Sequence, residues 1–117
     1  MHWNLTDKQE VIECLIDARQ NAQKLEFALR GKEKYKEADR IWEANQRLQV
    51  EIDTLIGRAM DEWGQNAQQI LAQLNAAEKE IAEAVKKVKE EVEIVANAVK
   101  VVGVIDKIIT ILGPLLL

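Results

Sequence analysis

Apolar residues recur at alternating spacings of four and three along three long stretches of the chain. The first series begins at Val11 and ends at Leu29, the second runs from Ala38 to Ala59, and the third starts at Ile70. This spacing places each series on one face of an α-helix, where it forms a seam that packs against other helices. The chain contains only one Pro and five Gly among 117 residues, so few turns are expected. The pattern predicts an all-α protein with a few long helices.

The predicted first helix covers about residues 7–30. The segment Thr6-Asp7-Lys8-Gln9 is typical of a capping box, in which the threonine hydroxyl accepts from the backbone N–H three residues later. Gly31 is suited to the left-handed position that follows a helix. Ile12 and Phe27 are expected to widen the buried seam of this helix.

The predicted second helix covers residues 33–63 and carries Asn45 within its seam. A tight turn at Gly64-Gln65 and a new N-cap at Asn66 are expected to follow. The alternative is a helix that continues through Gly64, at a cost of only about 1 kcal/mol relative to alanine. The side chains expected to broaden this seam are Tyr35, Trp42, Ile56, Met60 and Trp63.

The predicted third helix covers residues 66–112, and 113–117 form an apolar tail after the stop signal Gly113-Pro114. Its seam runs from Ile70 to Val88 and resumes at Val92 after an extra step of four, a stutter that locally unwinds a helical seam. The resumed track is Val92, Val95, Val99 and Val102.

Three helices joined by short turns favour an up-down-up arrangement. We therefore predict one helical domain over residues 1–117, an antiparallel three-helix bundle or coiled coil. Its long, apolar C-terminal helix would extend beyond its neighbours, at about 1.5 Å per residue, or be broken near Gly103.

The segment Val92–Leu112 is the most hydrophobic part of the chain, and four of its polar residues occupy a narrow strip of the helical wheel: Glu93, Asn97, Lys100 and Lys107. Exposing ten aliphatic side chains would cost some 15–30 kcal/mol in transfer free energy. The segment could fold back at Gly103 onto its own bundle, pack against another copy, or meet a membrane or a different protein. A membrane span is disfavoured because Lys100, Asp106 and Lys107 interrupt the segment.

Packing against another copy is the preferred interpretation, with a dimer favoured and another helical protein as the alternative partner. Asp106 lies among the apolar residues on the wheel and would specify the contact across an interface; otherwise it is solvated. Asn45 could fix the register of the assembly. The predicted interface residues are Val95, Val99, Val102, Ile105, Asp106, Ile109 and Leu112.

The sequence lacks the residues that other classes of function require. One Cys and one His exclude a disulfide framework and a zinc site built from such ligands within one chain. Cys14 is expected to be a small buried side chain. No phosphate-binding, dinucleotide-binding or C-x-x-C motif occurs, so we predict no catalysis, no cofactor and no metal. The net charge of −4 mixes 20 acidic with 16 basic residues, which does not favour nucleic acid.

The sequence therefore predicts a non-enzymatic helical interaction or assembly protein that self-associates through the Val92–Leu112 face. The first residues lack the pattern of a secretory signal, and we expect a cytoplasmic location. An alternative is a membrane-active, pore-forming or peripheral protein that shelters its apolar hairpin until it inserts. A third interpretation is an inhibitor of another protein, such as an immunity protein or antitoxin.

Overall fold

The computed structural model describes residues 5–57 and 67–113, which form four helices. These are α1 (Leu5–Gly31), α2 (Tyr35–Gly57), α3 (Ala67–Lys89) and α4 (Ile94–Leu112). They pack into a bundle of 45 × 21 × 18 Å. The all-α prediction is confirmed. The three-helix prediction is wrong, because the helix predicted over 66–112 is two helices separated by a turn at residues 90–93.

Two antiparallel helical hairpins, α1–α2 and α3–α4, lie side by side. Helix α1 packs against α2 and α3, and α4 packs against the same two helices. Polar contacts show that α1 and α3 run parallel: Asn21 Nδ2 donates to Glu78 Oε1 at 3.2 Å, and Lys32 Nζ lies 3.1 Å from Glu91 Oε1. The two hairpin turns therefore lie at the same end of the bundle.

The core combines the predicted seams of α1, α2 and α3 with an inward face of α4. The seam residues from Val11 to Leu29, from Ala38 to Leu55 and from Ile70 to Val88 are buried, as their spacing predicted. Cys14 is buried beside the first seam, which confirms its prediction. The buried residues of α4 are Asn97, Ala98, Val101, Val104, Ile105, Ile108 and Leu112.

Both hairpin turns close with the same hydrogen bonds. The Lys34 N–H donates to the Leu29 carbonyl, and the Val92 N–H donates to the Lys87 carbonyl, each at 2.8 Å. These are the long bonds of a Schellman motif, in which the residue just past the helix is left-handed. A glutamate takes that place in each turn, Glu33 with φ 61° and Glu91 with φ 63°.

Two predictions about the ends of α1 are therefore wrong. The left-handed residue is Glu33 rather than Gly31, since the helix continues through the glycine before it turns. Thr6 is not the N-cap, because α1 already includes Leu5. Asp7 does lie in the first turn of the helix, where the helix dipole favours a negative charge.

The turn at residues 90–93 forms because folding back buries α4. Five large side chains, from Val101 to Leu112, become buried against α2 and α3. At about 1.5–3 kcal/mol each, their burial contributes about 7–15 kcal/mol. The left-handed Glu91 and Glu93 cost about 1–2 kcal/mol each, so burial outweighs the strain. The break predicted near Gly103 is wrong: that residue lies within α4.

Several predictions fall outside the described residues. They concern the second helix beyond residue 57, with Ala59, Met60 and Trp63, the turn at Gly64-Gln65, the N-cap at Asn66 and the tail from residue 114 onward.

Candidate functional site

The outward side of α4 carries a row of exposed valines. Val92 and Val95 each keep 44% of their surface exposed, and Val99 keeps 51%. Val92 lies in the turn just before α4. Val102 follows the other valines on the same side of the helix and is half-buried, and the exposed small residues Ala96 and Gly103 each come directly after a valine. We call these six residues the valine face. The valine face points away from the core, because Val101, Ile105 and the other buried residues of α4 lie on the opposite side of the helix.

A shallow groove between α2 and α4 borders the valine face and has a volume of about 230 Å³. The α4 wall is formed by Val99, Val102, two small residues and Asp106, and the α2 wall by Glu37 and Arg40. Next to it, Arg47 Nη1 of α2 lies 3.0 Å from an Asp106 carboxylate oxygen of α4. The groove therefore has an α4 wall that is apolar except for Asp106, and an α2 wall with both signs of charge.

The predicted interface residues divide between the surface and the core. Val95 and Val99 are exposed, and Val102 and Ile109 are half-buried. Ile105 and Leu112 have no exposed surface, so in this bundle they stabilise the subunit and do not reach a partner. Asp106 is exposed and paired with Arg47. The existence of an interface remains a prediction.

Two asparagines lie inside the bundle. Asn45 is buried in its seam and its Nδ2 donates to the Arg19 carbonyl at 3.1 Å, while its Oδ1 finds no hydrogen-bond partner in the described residues. Asn97 belongs to the polar strip on the wheel, yet it is buried too. Its Nδ2 donates to the carbonyls of Val92 and Glu93, at 2.9 and 3.1 Å. This side chain holds the α3–α4 turn in place.

Further exposed apolar side chains, which were not predicted, are spread along the α1–α2 hairpin. These side chains, here called the aromatic face, are Phe27, Tyr35, Trp42, Val50 and Ile56. The prediction that Phe27, Tyr35, Trp42 and Ile56 widen the core seams is therefore wrong. The helical wheel could have predicted the exposure of Phe27, because at 100° per residue this side chain lies about 160° from the seam residue Leu29.

The chemistry of the single cysteine is that of a core residue. Burial, with the nearby carboxylates of Glu78 and Asp17, raises the pKa of Cys14 to about 11. At neutral pH the thiol is therefore protonated, and the thiolate is the reactive form of cysteine.

Neither a metal site nor a membrane-spanning helix is found in the part of the chain that the structure describes. Its His, Cys, Asp and Glu side chains form no group of three or more that could hold a metal ion. None of its helices combines the length and the hydropathy needed to cross a bilayer.

The comparisons with known proteins add no functional assignment. No protein family, curated protein or solved structure matches this chain at a significant level. The function is therefore inferred from the surfaces of the bundle themselves.

Proposed function

We propose that this chain is a non-enzymatic interaction protein that self-associates through the valine face of α4. The observation that carries the proposal is the exposure of Val95 and Val99 on α4, and of Val92 just before it, while the opposite side of this helix already completes the core. The fold of one subunit does not require these valines. A helix face exposed only to solvent normally carries no large apolar side chains, and the described outward face of α3 is polar or alanine.

The energetics favour a weak, concentration-dependent dimer. Each valine is about half exposed, so covering the three on both copies would contribute about 4–8 kcal/mol. Association itself costs at least about 4 kcal/mol in lost translational and rotational freedom. The two terms nearly balance, so contacts along the α2–α4 groove decide the affinity.

The double variant Val95→Glu, Val99→Glu tests the proposal. Both side chains are exposed in the bundle, so the charged replacements leave the core intact. Two carboxylates on the valine face would have to be buried without partners in a dimer, which is strongly unfavourable. We expect the wild type to increase in mass with concentration in sedimentation equilibrium, and the variant to remain a monomer.

The matched control is Ala72→Glu, Ala76→Glu, which places two carboxylates with the same spacing on the outward face of α3. Both alanines are exposed. This control should associate as the wild type does. A wild type that stays monomeric up to about 1 mM, or a valine-face variant that associates normally, contradicts the proposal.

A further inference from the structure

We infer that two copies pack α4 against α4 in antiparallel orientation, about a twofold axis at Val99. This arrangement rests on the proposed self-association and specifies its geometry. The twofold sets each residue of α4 opposite the residue equally far from Val99 on the other copy. Within α4 the contact runs from Val95 to Gly103, which is about 12 Å of helix at 1.5 Å per residue.

The shape of the valine face complements itself under this operation. Val95 of one copy lies opposite Gly103 of the other, and Val102 lies opposite Ala96. Two large side chains, Val95 and Val102, therefore meet small ones, as in knobs-into-holes packing, and Val99 meets its own counterpart at the axis. Gly103 is an open position in the subunit, since a Cβ built there meets no atom within 4 Å. The space beside it can receive a valine from another copy.

A parallel pairing lacks this fit. It would set Val95 against Val95 and Gly103 against Gly103, so that large side chains crowd each other at one level and leave a gap at the next. It would also bring the two Asp106 carboxylates together. Like charges at one interface position disfavour that pairing.

The charges along α4 favour the same antiparallel orientation. The turn before α4 is acidic, with Glu90, Glu91 and Glu93, whereas the helix itself carries Lys100 and Lys107. Antiparallel packing brings the acidic turn before α4 of one copy towards Lys107 near the other end of α4 in its partner copy, where the neighbouring Asp106 is already paired with Arg47.

The α2 rim of the groove supplies a second complementary pair. Arg47 faces Asp106 along the parallel helices α2 and α4, which sets Arg40, two turns earlier, level with Val99. Arg40 is therefore level with the twofold axis, where the two Arg40 side chains approach each other, and Glu37 lies one turn away in each copy. Both side chains line the groove, so Arg40 of one copy can approach Glu37 of the other.

Two single-cysteine variants distinguish the orientations. Val95→Cys and Gly103→Cys are made separately in a Cys14→Ala background, one of them labelled with ¹⁵N. They are mixed in equal amounts and equilibrated in a glutathione redox buffer, and the disulfides are counted by mass spectrometry. Random pairing gives as much mixed disulfide as the two homodisulfides together. Antiparallel packing predicts a mixed disulfide in about fivefold excess over that sum.

The result separates this inference from the proposal on which it depends. If the wild type forms dimers but homodisulfides equal or exceed the mixed product, the antiparallel arrangement is overturned and self-association stands. If the wild type is monomeric and pairing is random, both are overturned.

A third variant tests the role of the glycine directly. Gly103→Gln fills the space proposed for Val95, and we expect it to raise the dissociation constant at least about tenfold. The subunit should not lose stability, because glycine is a poor helix former. Ala76→Gln on α3 is the control and should not change the constant. Unchanged association of Gly103→Gln would contradict the proposed packing.

Discussion

A glutamate lies just after the end of α1 and another just after the end of α3. Both have a left-handed backbone conformation that glycine adopts more easily. Glu33 and Glu91 have φ near 60°, and Glu93 follows with φ 44°. Side chains with a Cβ pay about 1–2 kcal/mol for this conformation. The strain is tolerated because each turn joins two helices that bury a large apolar surface.

Replacing Glu33 with glycine should therefore stabilise the bundle. We expect a gain of about 0.5–1 kcal/mol in the free energy of unfolding, since the relief of strain exceeds the extra entropy of the unfolded chain. Urea denaturation of Glu33→Gly measures it. Glu37→Gly, within α2, is the control and should lose about 1 kcal/mol. A loss of stability in Glu33→Gly would show that the backbone at this turn is not strained.

The residue patterns predicted which side chains are buried better than they predicted where helices end. The seams of α1, α2 and α3 followed from the four-three spacing, because each lies on a helix that packs along its whole length. Trp42 and Phe27 were misassigned because hydrophobicity alone does not show which flank of a helix lacks a neighbour. They are exposed because none of the other helices within residues 5–57 and 67–113 covers that side of the α1–α2 hairpin.

At the level of helices, the α3–α4 turn is the feature that the sequence did not reveal. Residues 89–93 are Lys-Glu-Glu-Val-Glu and contain neither glycine nor proline, so local propensity favours a continuous helix. The extra step between Val88 and Val92 was visible, but a stutter also occurs in unbroken helices. The choice depends on tertiary burial of α4, which no local pattern encodes.

The side chain of Asn97 stabilises this turn. Its amide donates to two carbonyls of the turn, Val92 and Glu93, from within a buried position. These bonds offset the absence of a side-chain cap at the start of α4. The one polar residue on the inward side of α4 therefore has a structural role.

Asn97→Ala should destabilise the protein by about 1–3 kcal/mol, because it removes two hydrogen bonds inside the bundle. Urea denaturation gives the change in the free energy of unfolding. Gln49→Ala is the control: Gln49 donates to Asp53 at 2.8 Å on the surface of α2, and its loss should cost less than about 0.5 kcal/mol. Equal effects of the two substitutions would mean that Asn97 does not hold the turn.

At the level of the whole molecule, the apolar surface left after folding lies on both sides of α2. The valine face of α4 and the aromatic face of α1–α2 border this helix, whereas the described outward face of α3 is polar or alanine. The length argument for self-association was wrong, since α4 folds back and does not extend beyond the bundle. What supports an interface now is the part of α4 that remains exposed after it has folded back.

The valine face and the aromatic face are the two candidates for the contact between copies. The aromatic face has the larger side chains, and aromatic residues are common in binding surfaces. The valine face has small residues between large ones, complementary shape under a twofold and charged rims of both signs. These features are what a second copy of α4 requires, and they are the reason for preferring it.

The most direct test follows the amide and methyl NMR signals of the wild type during dilution from about 1 mM to about 20 µM, the range in which a weak dimer dissociates. If α4 is the interface, the shifts that change with concentration are those of Val95, Ala96, Val99 and Gly103, while the signals of Phe27 and Trp42 stay constant. Signals that move only on the aromatic face, or no movement at all, would contradict the proposed role of the valine face.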